Sequence, residues 1–87
     1  MIVAVFTFVV EASGGTYCAQ IAARDILGAI TAYNRADPSG NGLGVLAGAP
    51  VALDGLRAVW YDSGLDGAGN LVGATIILTH VAERDEA

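Results

Sequence analysis

Lysine is absent from this sequence. Four arginines (Arg24, Arg35, Arg57 and Arg84) are its whole basic complement against nine aspartates and glutamates, a net charge of −5. Proteins that grip nucleic acid by its phosphate backbone need a basic face, and there is no material here to build one. The acidic groups are also too scattered to imitate a DNA strand, so no direct nucleic-acid partner is expected. Cysteine occurs once, at Cys18, which rules out an intrachain disulfide and leaves no sign of an oxidising compartment. Histidine also occurs once, at His80. A zinc site needs several ligands, and Cys18 alone is a poor companion; a nucleophilic triad needs a base beside a placed nucleophile, and no spacing proposes one. No metal, cofactor or catalytic residue is expected, and the chain reads as non-enzymatic.

Charged residues make up only 15%, whereas hydrophobic residues reach 54%. A chain of 87 residues makes one domain with a single core and little stability to spare. Such a domain has too much surface to hide so many apolar groups, so burial in an assembly is expected. The apolar run at 2–10, broken only by Thr7, has no Lys or Arg before it and Glu11 directly after it. It is too short to span a bilayer. Gly15-Thr-Tyr-Cys18 lacks the small residue before cysteine that a lipoprotein signal carries. The expectation is a soluble, non-exported protein with no membrane partner.

Residues 2–11 are β-branched and aromatic and read as a strand. Alternation puts Ile2, Ala4, Phe6, Phe8 and Val10 on one face and Val3, Val5, Thr7, Val9 and Glu11 on the other. Both faces are mainly apolar, so the strand is either covered on both sides or turns one face to another subunit. Ser13-Gly-Gly-Thr16 is a turn, and Ser13 or Thr16 can cap a helix. Residues 16–35 carry a helical pattern, with Ala19, Ala22, Ile26, Ile30 and Tyr33 in one stripe and Gln20, Arg24, Thr31 and Arg35 opposite. Ile21 and Leu27 fall off the stripe, either as a second contact, inside the fold or across a subunit boundary, or as isolated exposed apolar residues. Cys18 falls in the first turn of that helix, where no Lys or Arg flanks it to activate it, and reads as a small packed thiol.

Asp37-Pro38-Ser-Gly-Asn-Gly42 ends the helix. The segment 43–53, interrupted by Gly44, Gly48 and Pro50, is open between a short edge strand, a helical turn plus a strand, and an ordered loop. Asp54-Gly55 leads into a closing hairpin: a β-rich run at 56–62, a Gly/Asp/Asn-rich tip at 63–70, and a second β-rich run at 71–81. Trp60 and Tyr61 point to opposite faces of the first run; either one packs under the helix and the other is exposed or meets a partner, or both are packed by their own chain. His80 falls on one face with Val72, Ala74, Ile76 and Leu78, as a structural or interface histidine. Residues 82–87 are a charged tail expected to fray. The order β–α–(β)–β–β predicts a single α+β domain over residues 1–81. In it, one long helix packs on a mostly antiparallel sheet of three to four strands, in two layers.

Two loops imitate ligand sites and fail on spacing. Gly40-Asn-Gly-Leu-Gly44 looks like part of a phosphate loop, but it follows a helix, and no Lys-Ser/Thr ends it. Asp62-Ser-Gly-Leu-Asp-Gly67 has the flavour of a calcium loop. Gly64 and Gly73 occupy the third and twelfth positions, where oxygen ligands belong. A flexible connection and a hairpin tip, respectively, account for both.

Asp37-Pro38, Gly42-Leu-Gly44, Val59-Trp-Tyr-Asp62, Asp66-Gly67 and Val72-Gly-Ala74 follow one another in an order that resembles phage tail-terminator (tail-completion) proteins of the minor-tail group. The similarity covers roughly residues 2–81 and rests on turn-dominated motifs. It departs from the pattern at the start, where many such proteins carry a helix before the first strand. The resemblance implies a ring-forming structural protein, commonly hexameric, that caps the tail tube at the head–tail junction of the virion. Its partners are then its own copies, the tail-tube protein and head–tail connector proteins, and it passes through the host cytoplasm during assembly. Ile21, Leu27, Trp60, Tyr61, Asp62, Asp66 and Asn70 are the candidate interface residues. The alternative is a small inhibitory binding module, encoded by a phage or mobile element, whose acidic loops grip a basic host protein.

Overall fold

A computed structural model describes residues 2–12, 14–36, 44–53 and 58–83. Strand β1 (Ile2–Ala12) turns into β2 (Gly15–Ala23), and helix α1 (Ile26–Ala36) follows. Two short strands, β3 (Val45–Leu46) and β4 (Val51–Ala52), precede the long pair β5 (Val59–Leu65) and β6 (Leu71–Glu83). The strand order is β2-β1-β6-β5-β3, with β4 also on β5, and every pairing is antiparallel. The α+β class and the antiparallel sheet agree with the sequence reading. The sheet has six strands rather than three or four, and the helix is 11 residues rather than the long one expected.

The difference lies at residues 16–23, which form β2 and not the first half of a helix. Ala12 pairs with Gly15, leaving a two-residue connection, and Gly15 has φ +137°. A two-residue link with glycine in this region is the tightest hairpin solution and folds the chain straight back on β1. In that register Ile21 lies opposite Phe6, Ala19 opposite Phe8 and Ala23 opposite Ala4. Helix preference among such residues is worth only about half a kcal/mol each. A nine-residue ladder with side chains packed on the core outweighs it. Thr16 is thus a strand residue paired with Glu11, and Cys18 is an exposed strand residue opposite Val9, distant from any helix terminus.

Asp25 caps the helix instead. Its Oδ1 accepts from the Gly28 amide at 2.7 Å, and its carbonyl accepts the first helical bond, from Ala29 N–H at 2.9 Å. Such a cap is worth about 1 kcal/mol. The stripe Ile26–Ile30–Tyr33 does face the sheet, with Ile30 and Tyr33 buried. The core is the inner face of the sheet under this helix: Phe6, Phe8 and Val10 from β1; Val72, Ala74 and Ile76 from β6; Leu46 from β3. The Phe8 and Tyr33 rings stack at 5.1 Å, 6° from parallel. Each large side chain buried this way stabilises the fold by roughly 1.5–3 kcal/mol.

Of the segment 43–53, Leu43 lies outside the described residues, and 44–53 form one interrupted edge. Leu46 pairs with Gly64 and Ala52 with Trp60, so the four residues 47–50 bulge out beside Asp62 and Ser63. Strand β5 continues through Leu65, three residues into the stretch expected to be the hairpin tip. Strand β6 continues through Glu83, which pairs with Ile2, so the ladder enters the segment expected to fray. The expected breaks at 37–42 and 54–55 and the tail beyond residue 83 lie outside the described residues.

Candidate functional site

Strand registers assign every residue of the sheet to a face. The inner face meets α1. The outer face, which no described element covers, can be read as rows across the strands. One row runs Val45–Leu65–Leu71 over β3, β5 and β6. A second runs Val51–Tyr61–Thr75–Val9–Cys18 over β4, β5, β6, β1 and β2. A third runs Val59–Ile77–Thr7–Gln20. Seven large hydrophobic side chains are exposed among the described residues, and five of them (Val45, Val51, Tyr61, Leu65 and Leu71) belong to the first two rows. Leu65 and Leu71 are 54% and 71% exposed. Scattered exposed aliphatics are ordinary on a monomer; these five are instead gathered on one corner of one sheet face.

Glycine shapes that corner. A side chain at Gly64 would collide with the Val45 carbonyl, so β3 can approach β5 only because Gly64 has none. On the outer face the Tyr61 hydroxyphenyl lies over Gly73, filling the space a Cβ would take. Tyr61 is thereby held flat to the sheet while remaining 39% exposed. Further along the face, Thr79 Oγ1 donates to the Val5 carbonyl at 3.1 Å and lies 3.0 Å from Thr7 Oγ1, which accepts from Gln20 Nε2 at 3.3 Å. This polar strip borders the apolar rows.

Thr79 marks a register shift between β1 and β6, where Val5 pairs with His80 while Phe6 pairs with Leu78. The extra residue reverses the alternation beyond it. His80 is therefore exposed, opposite the outer-face residue Val5, and does not share the face of Val72, Ala74 and Ile76 as simple counting from the sequence implies.

The seven residues singled out from the sequence do not form one surface. Ile21 is half-buried on the inner face against the core. Trp60 is also inward, its ring 5.9 Å from Phe6 at a 54° tilt. Leu27 is exposed on the helix, away from the sheet's outer face. Asp62 is buried at 4% exposure, its carboxylate accepting from the Gly48 amide at 2.9 Å and the Ser63 amide at 2.8 Å. It pins the 47–50 bulge to β5. Tyr61 alone of the seven lies in the exposed rows, and Asp66 and Asn70 close the hairpin tip just beyond Leu65. The sequence reading missed Val45, Val51, Leu65 and Leu71; their signal was the alternation of Leu65 with the inward Gly64 and of Leu71 with Val72.

At the tip, Asp66 Oδ1 accepts from Ala68 N–H at 2.9 Å and Asn70 N–H at 2.8 Å, and Gly69 adopts φ +85°. The Asn70 amide, with help from Ala68 and the Asn70 side chain, holds the Asp66 carboxyl below its ordinary value of 3.8, against a smaller opposing effect of burial. The carboxylate is engaged in building its own turn. Among the described residues no three His, Cys, Asp or Glu side chains converge, and no helix is long and apolar enough to cross a membrane. No family model, curated protein or solved structure matches this chain.

Proposed function

We propose that this chain is a structural assembly subunit that acts by self-association, with the outer face of its sheet covered by neighbouring copies, and performs no chemistry of its own. The observation that carries this reading is the gathering of Val45, Val51, Tyr61, Leu65 and Leu71 on one uncovered sheet face. The size of the face supports it. Four strands of 7 to 13 residues about 4.8 Å apart offer roughly 600 Å², of the order of the ~800 Å² each partner covers in a stable complex. Charge confines it: the row between Leu71 and Val9 carries one carboxylate, Glu11 opposite Gly73, so the apolar contact centres on the β3/β4/β5 corner, where Val45, Val51, Tyr61 and Leu65 carry no charge.

The finer form of the proposal is a ring that caps a phage tail tube at the head–tail junction, with tail-tube and connector proteins as further partners. It rests on the resemblance carried by Val59-Trp-Tyr-Asp62, Asp66-Gly67 and Val72-Gly-Ala74. Light scattering after size-exclusion chromatography tests the reading at both levels. Wild-type protein is expected to run as an oligomer, and the pair Leu65→Asp/Leu71→Asp, placed at exposed positions, is expected to lower its mass without unfolding it. A wild-type monomer across a wide concentration range, with no ring on adding tail-tube protein, overturns the proposal.

A further inference from the structure

The two edges of the sheet are finished differently. On the β3/β4 side the edge is two strands of two residues each, capped at β3 and broken between them. Asn34 of α1 donates Nδ2 to the Leu46 carbonyl at 2.9 Å and accepts the Leu46 amide on Oδ1 at 2.8 Å. Its side-chain amide stands where another strand would pair. Beyond Leu46 the 47–50 bulge interrupts the edge, and Asp62 takes the Gly48 amide. Bulges and side-chain caps are the usual defences against unwanted strand addition. Strand β2 has none of them. Its nine residues (Gly-Thr-Tyr-Cys-Ala-Gln-Ile-Ala-Ala) include no charge, no proline and no bulge, and they pair on one side only.

The direction of its backbone groups follows from the sheet. Leu46 points its N–H and C=O away from β5, and residues along an antiparallel strand alternate in direction. Ala47 N–H donating to Ser63 O, Leu53 N–H to Val59 O and Leu78 N–H to Ala58 O fit one phase: odd residues of β5 face the β3/β4 edge, and even ones face β6. Carried through the registers of β6 and β1, this phase turns the N–H and C=O of Thr16, Cys18, Gln20 and Ala22 outward from the free edge.

We infer that β2 pairs antiparallel with β2 of a second copy of this chain, across a two-fold axis, fusing two sheets into one. The occupant is a second copy because the short, interrupted β3/β4 edge cannot be the complement, and the matching open edge is β2 itself. Two identical strands on a two-fold axis satisfy both open edges at once and leave none to propagate. The uncharged sequence lets the strand face its own copy without repulsion. This contact is distinct from the outer face, and it rests on the edge and not on the exposed rows.

Residue-resolved amide exchange on the wild-type protein at low and high concentration tests it. The amides of Thr16, Cys18, Gln20 and Ala22 are expected to slow by on the order of tenfold or more on concentration, while those of Tyr17, Ala19 and Ile21, bonded to β1, stay protected throughout. Gln20→Pro removes one outward N–H without touching the β1 ladder, and is expected to abolish the pairing; Gln20→Ala keeps it. Protection of Tyr17 and Ile21 in Gln20→Pro shows that the hairpin still folds. Free exchange of the four outward amides in concentrated protein overturns the inference, as does full assembly of a folded Gln20→Pro. If Leu65→Asp/Leu71→Asp leaves the β2 protection intact while wild-type mass is unchanged by that pair, the outer-face reading fails and this one stands.

Discussion

The inner and outer faces of β1, β5 and β6 are built from similar residues and meet different fates. Ile76 and Ile77 are neighbours in β6; the first is fully buried under α1, and the second is only partly buried, on a face that no described element covers. Phe8 stacks on Tyr33, while the next residue, Val9, lies in the open row with Tyr61. Apolar character alone therefore does not distinguish core from contact surface in so small a domain. What distinguishes them is the single helix: eleven residues can cover one face of a six-stranded sheet and not both. The second apolar face requires either another layer or another molecule.

The sharpest way to break this contrast is to truncate the two isoleucines separately. Ile76→Ala removes a side chain with no exposure and should cost about 2–5 kcal/mol in urea unfolding, whereas Ile77→Ala in dilute monomer should cost roughly 1 kcal/mol. Equal losses would mean the outer face is already packed within the monomer. The two glycines come next. Gly64→Ala drives a methyl into the Val45 backbone and should cost about 2–3 kcal/mol by displacing β3. Gly73→Ala meets only the mobile end of the Tyr61 ring; the gain of about 0.5–1 kcal/mol from removing a strand glycine should leave it near neutral.

The two acids of the closing hairpin sharpen the contrast further. Asp62→Ala removes a buried carboxylate that accepts from the Gly48 and Ser63 amides and should cost about 1–3 kcal/mol, with faster exchange at Gly48 as its marker. Asp66 lies at the solvated tip, and its effect should be the smallest. Its carboxyl is held below 3.8 in the folded chain, so the stability it supplies is complete above that value and fades as pH falls through the lowered one. Acid titration followed at the Ala68 and Asn70 amides should show the turn loosening only below pH 3.8. Loosening near neutrality would mean that Asp66 does not hold it.

Much of this architecture was legible in the sequence because it depends on local pattern. The alternation of β1, the Ile26–Ile30–Tyr33 stripe and the turn chemistry of Asp66–Asn70 all announce themselves within a few residues. What was not legible depends on distant partners. Residues 16–23 carry alanines suited to a helix, and only the ladder to β1 makes them a strand. His80 changes sides because one extra residue enters β6 opposite Val5, a shift no periodicity reveals. Asp62 reads as a turn acid until the 47–50 bulge is brought beside it. The exposed rows were hidden for a related reason: Leu65 and Leu71 are unremarkable in sequence and become a patch only when β3, β5 and β6 are aligned.

The central claim is that the uncovered sheet is closed by other copies of the same chain, and the urea midpoint of wild-type protein measured over a hundredfold range of concentration tests it most directly. Association of folded chains couples stability to concentration, so the midpoint should rise steadily with protein concentration. A midpoint that stays the same from the most dilute sample to the most concentrated would contradict the account.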